Sequence, residues 1–237
     1  MTKFFITGDI HGEYHITKLY RHNWPTGASL SDHDYLIIAG DFGLLFTPEP
    51  TKTEKHWLKW LEDRHWTTLF ICGNHDNHDM LNALPREEKF GGVVGKVSNK
   101  IYHLLRGEVY TIGDKKFLTF GGAMSSDKET RKIGISWWND EIPNYADMEN
   151  CLTNLEKHQN KVDFIVAHTC PLRLKLELSQ VKQLGFNLHT MEDDPTVKML
   201  EHIVSICEFE KFYCGHWHLD QTFDKYNFLF KKIKQIC

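Results

Sequence analysis

The sequence predicts an α/β fold, and three observations predict it. Residues 3–7, 35–39 and 67–71 are short, apolar, β-rich runs that read as buried strands. Each is followed by a polar turn and then a segment with helical periodicity, so three βα units stand in succession, which implies a parallel sheet with helices on its faces. Hydrophobic residues make up 41% of the 237 and charged residues 25%, enough to build the core such a sheet needs.

Taken in order, residues 3–7 end in Gly8-Asp9-Ile10-His11-Gly12, and an amphipathic stretch from Glu13 to about His22 reads as a helix. The second strand ends in Gly40-Asp41-Phe42-Gly43 and leads to a helix from Lys52 to about Arg64 carrying Trp57, Leu58, Trp60 and Leu61. The third ends in Cys72-Gly73-Asn74-His75-Asp76, with a helix from about Asn77 to Leu84 that Pro85 stops. Residues 101–105, 109–112 and 117–120 then read as strands, the last two a hairpin across Gly113-Asp114, so a mixed or second sheet enters here. Residues 121–143 form a long charged loop containing Trp137-Trp138, a length that marks function or disorder. A helix over about 147–159 precedes a strand at 163–167 that ends in His168. Residues 172–194 read as a short helix plus a surface loop, and Asp194-Pro195 starts a helix to Ile206. A strand at 211–214 ends in Gly215-His216-Trp217-His218, and a closing hairpin follows around Phe223 and Phe228. With no linker, fixed-period repeat or low-complexity segment, residues 1–237 read as one domain.

The balance of charge excludes some partners. A net charge of −4 and a pI near 6.4 argue against an electrostatic grip on extended nucleic acid. No apolar run approaches the ~20 residues of a membrane span, and the first residues are too weakly apolar for a signal peptide. The six cysteines show no paired zinc-ligand spacing, so they read as reduced thiols of a cytoplasmic protein.

Five strand-like runs thus end in polar groups: Asp9 and His11, Asp41, Asn74 with His75 and Asp76, His168, and His216 with His218. Any one of these alone is turn chemistry. Together they supply carboxylate, amide and imidazole donors at the strand ends where α/β sheets bind ligands. That mixed oxygen and nitrogen set suits Mn²⁺, Fe, Zn²⁺ or Co²⁺ better than Ca²⁺ or Mg²⁺. The donors exceed the need of one ion, and two ions ~3.5–4 Å apart are a common device for phosphate-ester hydrolysis.

The ordered set D-x-H, G-D, G-N-H-[DE], a lone His and G-H-x-H resembles the calcineurin-like metallophosphoesterase superfamily over nearly the whole chain. The resemblance implies a four-layer α/β/β/α sandwich of two mixed β-sheets flanked by helices. It implies two divalent metal ions, with Mn²⁺ favoured: Asp9, His11 and His218 ligate the first, Asn74, His168 and His216 the second, and Asp41 bridges. It further implies phosphoester hydrolysis by a metal-bridging hydroxide. His75, left outside both ligand sets, is expected to protonate the leaving oxygen, with Asp76 holding its tautomer.

The expected substrate is a small or nucleotide phosphodiester. The charged D-R-G run of the protein-phosphatase branch is missing, since Asp41 is followed by Phe42-Gly43-Leu44, and the terminal G-H-x-H looks more like the phosphodiesterase branches. Monoester hydrolysis and nuclease action are the alternatives, and a non-catalytic scaffold is disfavoured because all seven ligand positions are filled. In the long loop, Arg131 is expected to grip the phosphate, with Ser125 and Ser126 nearby and Trp137 or Trp138 placed to stack on a base. The oligomeric state is open.

Overall fold

A computed structural model describes residues 2–180 and 194–236. The three leading βα units supply the first sheet: β1 (Phe4–Thr7), β2 (Tyr35–Ile38) and β3 (Thr67–Phe70) pair in parallel, in register Ile6↔Ile37 and Ile37↔Leu69. The hairpin of β4 (Arg86–Lys89) and β5 (Gly92–Lys96) extends this sheet through β6 (Ile101–Leu104), which pairs parallel to β3. The second sheet holds β7 (Val109–Ile112), β8 (Lys115–Phe120), β9 (Phe164–Ala167) and β10 (Lys211–Cys214). It is closed by the hairpin of β11 (Gln221–Phe223) and β12 (Tyr226–Phe228), and β13 (Lys234–Gln235) returns to pair with β1. The sheets have seven and six strands, and both are mixed.

Burial explains the layering. Phe4, Ile6, Ile37 and Leu69 of the first sheet meet Phe117, Phe164, Val166 and Tyr213 of the second in one buried cluster. On the outer face of the first sheet, Trp57 and Leu61 of α1 (Lys52–Glu62) cover Leu36, Ile38 and Phe70. On the outer face of the second, Cys151 and Leu155 of α3 (Tyr145–Lys157) and Leu200 and Ile203 of α5 (Pro195–Ile206) cover Leu118, Phe120 and Ile165. Four layers, α/β/β/α, result. A short α2 (His78–Asn82) follows β3 with Asn77 as its cap, and α4 (Leu172–Gln180) follows β9. The loop expected after α4 lies outside the described residues. Among the described residues no helix is long and apolar enough to cross a membrane, and five cysteines are free thiols.

One expectation fails, and one hairpin was not foreseen. The stretch from Glu13 to His22 is two 3₁₀ turns, Gly12–Tyr14 and Ile16–Leu19, rather than an α-helix. Its buried residues, Ile16 and Leu19, are three apart, which suits a three-residue turn, while Tyr14 is 77% exposed. The β4–β5 hairpin was not expected, because its strands Arg-Glu-Glu-Lys and Gly-Val-Val-Gly-Lys lack an apolar alternation and its turn, Phe90-Gly91, carries no Asn or Asp. Both turn residues are nonetheless left-handed, at φ 59° and 80°.

Candidate metal centre

The carboxyl ends of β1, β2, β3, β9 and β10 meet at one rim between the sheets. The turns brace one another through backbone: Ile10 and His11 N–H donate to the Asp41 carbonyl at 3.1 and 2.8 Å, and Gly215 N–H to that of His168 at 3.0 Å. Glycine is required where the turns touch. A Cβ on Gly73 would collide with the Asp41 carboxylate, and one on Gly40, at φ 90°, with the His168 ring. His11, Asp41, His216 and His218 themselves sit at φ 43°, 49°, 64° and 51°, left-handed values that side chains rarely adopt and that cluster at functional sites.

The side chains so placed fall into two groups. His11 Nε2 lies 3.2 Å from His218 Nε2 and 3.7 Å from Asp41 Oδ2, and ligand atoms of Asp9, His11 and His218 all lie within 4.8 Å of one another. In the second group, Asn74 Oδ1 lies 3.0 Å from both His168 Nε2 and His216 Nδ1, and His168 Nε2 is 3.4 Å from Asp41 Oδ1. Asp41 thus reaches both. His168 Nδ1 donates to the Ala39 carbonyl at 2.9 Å, which turns Nε2 into the site.

Electrostatics favours a cation here. Burial, reinforced by the facing Asp41, pushes the Asp9 carboxyl up to about 8. Burial depresses His11 to about 4 and holds His216 well below the usual imidazole range. His168 goes the other way: burial alone would lower it, but the Asp41 and Asp9 carboxylates lift it to about 9. Two buried carboxyl groups facing imidazole and amide groups form a set of oxygen and nitrogen donors that fits divalent cations.

The structure corrects the role expected of Asp76. Its carboxylate is buried and accepts the N–H groups of Gly73 at 2.7 Å, Gly43 at 2.8 Å and Phe42 at 3.3 Å, so it latches the β2 turn to the β3 turn instead of holding the His75 tautomer. Burial raises it to about 6. The His75 ring is met by Arg131, whose Nη2 lies 2.9 Å from Nε2 and also contacts Nδ1. Asp127 holds that guanidinium at 2.8 Å. His75 N–H donates to Asp41 Oδ1 at 2.8 Å, and burial, aided by Arg131, lowers its imidazole below the ordinary value.

The two tryptophans of the long loop are packed, not extended toward a base, while residues 126–130 and 132–135 are exposed. Trp137 and Trp138 are buried, Trp138 Nε1 donates to Asp79 Oδ2 at 2.8 Å, and Lys128 lies over the Trp137 ring. Ser125 is buried as well. It accepts from Asn74 Nδ2 at 3.0 Å and donates to Glu141 Oε2 at 2.6 Å, while its N–H donates to Glu141 Oε1 at 2.9 Å. Glu141 is fully buried, and no spacing in the sequence pointed to it. This relay faces the Asn74 oxygen toward the two imidazoles. Lys18 was missed too: its Nζ donates to the carbonyls of Gly8, Asp9 and Phe230 at 2.5, 3.2 and 2.6 Å, pinning the first turn to the C-terminal segment.

No curated protein matches the chain. The calcineurin-like phosphoesterase family model matches residues 2–220, which contain all seven candidate ligands and both sheets' site-bearing strands. The chain belongs to the calcineurin-like phosphoesterase family.

Proposed function

We propose that the protein is a two-metal hydrolase whose substrate is a small or nucleotide phosphodiester. The observation that carries this reading is the meeting of seven donor side chains from five strand ends in two groups with Asp41 between them. Asp9, His11 and His218 would hold one ion, Asn74, His168 and His216 the other, with Mn²⁺ the favoured metal. When bound, the ions supply Lewis acidity toward a phosphoryl oxygen and lower the pKa of water.

The chain's own groups do the rest. Arg131, held by Asp127, offers a planar guanidinium beside His75, where a phosphoryl oxygen of the substrate would take up one of its N–H groups. That anion, set against His75, raises its hold on a proton, and the ring then protonates the leaving oxygen. Asp76 fixes the turn that carries both His75 and Asn74. One guanidinium suits the single charge of a diester, since Lys18 is spent on backbone carbonyls.

The test is hydrolysis of matched chromogenic diester and monoester, with Mn²⁺ restored after chelation. Diester turnover is expected to fall by about 100-fold or more in His75→Ala while the metal content stays at two ions, and to vanish in Asp41→Asn. A preference for the monoester overturns the diester reading, and loss of metal from His75→Ala overturns the role given to that residue.

A further inference from the structure

Beyond His75 the rim opens into a cavity of about 520 Å³ that shares His11 and His75 with the metal centre. Its walls are the rings of Tyr14 and Phe46, the side chain of Leu44, and Thr51 and Thr53 at the start of α1. This volume is within the usual range of small-ligand sites. We propose that it is a leaving-group subsite for an uncharged, ring-bearing alcohol; the inference rests on the phosphodiesterase reading and on His75 as the group that protonates the departing oxygen.

Position and charge carry it. The departing oxygen leaves on the side of the acid, so its substituent falls into the cavity that His75 lines. Among the described residues no Lys or Arg lines that cavity. At the start of α1, Glu54 places a carboxylate beside the helix N-terminus that would otherwise attract an anion. Its carboxylate accepts from Thr51 N–H at 2.8 Å, Phe46 N–H at 2.6 Å and Thr47 Oγ1 at 2.6 Å. Glu13 adds a second carboxylate to the wall. With Arg131 engaged at the reacting phosphate, a second phosphate entering here meets two carboxylates and, among the described wall residues, no Lys or Arg, whereas a flat neutral ring meets two aromatic side chains and a leucine. Tyr14, 77% exposed, stands at the opening where such a ring would meet it. The cationic side chains Lys231 and Lys232 line a different cavity, of about 540 Å³, on the far side of Tyr14 and His15. The cavity therefore selects nucleoside-like or aryl leaving groups and rejects those that carry a further phosphate.

Calorimetric binding to the Mn²⁺-loaded protein tests this with three methylphosphinates, whose P–C bonds leave no phosphinate ester to hydrolyse: ethyl, 2-naphthylethyl, and 2-naphthylethyl bearing a terminal phosphate. The naphthylethyl probe is expected to bind about tenfold or more tighter than the ethyl probe, and the terminal phosphate to cancel the gain. Tyr14→Ala, a surface change, is expected to narrow the gap, and Thr53→Lys to restore affinity for the phosphate-bearing probe. Equal affinities, no binding, or a preference for the phosphate-bearing probe in the wild type overturn the subsite. Failure of the phosphodiesterase reading shows separately in the chromogenic assay, as a preference for the monoester or as absence of hydrolysis.

Discussion

At Asn74 one amide faces two directions. Its oxygen meets His168 and His216, and its nitrogen is held by Ser125, which Glu141 holds in turn. Ser125→Ala or Glu141→Gln frees the amide to rotate, and the expected result is a roughly 10–100-fold weaker second metal site. The first site should be unchanged, and Ser125→Thr should keep the relay. Titration of Mn²⁺ followed by electron paramagnetic resonance separates paired from single ions; a paired spectrum of unchanged affinity in Ser125→Ala would sink the idea. Asp76 makes a different prediction. Asp76→Ala strands three N–H groups, two of them buried and one half-buried, so a loss of about 3 kcal/mol in urea denaturation is expected even with metal chelated.

Elements divide by whether their cause is local. The strands β1, β2, β3, β9 and β10 and the helices α1, α3 and α5 were legible because each carries its own period and its own stop. Asp194-Pro195, for example, opens α5, where Asp194 Oδ1 accepts from Thr196 N–H at 2.8 Å. The seven candidate ligands were legible because each follows such a strand. The Ser125–Glu141 relay was not, since its parts are brought to Asn74 only by the loop's path across the rim. The same holds for Trp137 and Trp138, whose apolar faces found a core that no neighbouring residue announced. For α1, Thr51 and Glu54 form a reciprocal cap, and Thr51→Ala is expected to cost about 1 kcal/mol. Burial alone would raise Glu54, but the hydroxyl of Thr47 and the N–H groups of Thr51, Phe46 and Thr47 outweigh it and lower its pKa below the ordinary 4.5. A depressed folded-state value stabilises above the unfolded value and is lost as pH falls through the folded one. The stability gap between wild type and Glu54→Gln should therefore be full at neutral pH and shrink below about pH 4.5. A gap independent of pH would contradict this.

For the whole molecule, the decisive layer is the one between the sheets, where Phe4, Phe117, Phe164 and Tyr213 pack ring against ring. Because this core belongs to both sheets, we expect the chain to unfold as one unit. Phe117→Ala should cost about 3–5 kcal/mol and shift every spectroscopic probe together. Separate transitions for the two sheets would refute single-domain behaviour.

The left-handed backbone at His11, Asp41, His216 and His218 bears on how this protein is able to change. Each such residue costs on the order of 1 kcal/mol, a strain the metal-free chain carries without return. Drift away from catalysis is therefore downhill: His218→Asn, whose new side chain tolerates φ 51° well, should raise the melting temperature in chelator by about 2 °C. In Mn²⁺ the order should reverse, the wild type melting higher. Selection for thermal endurance alone would erase this rim first and leave the sandwich standing.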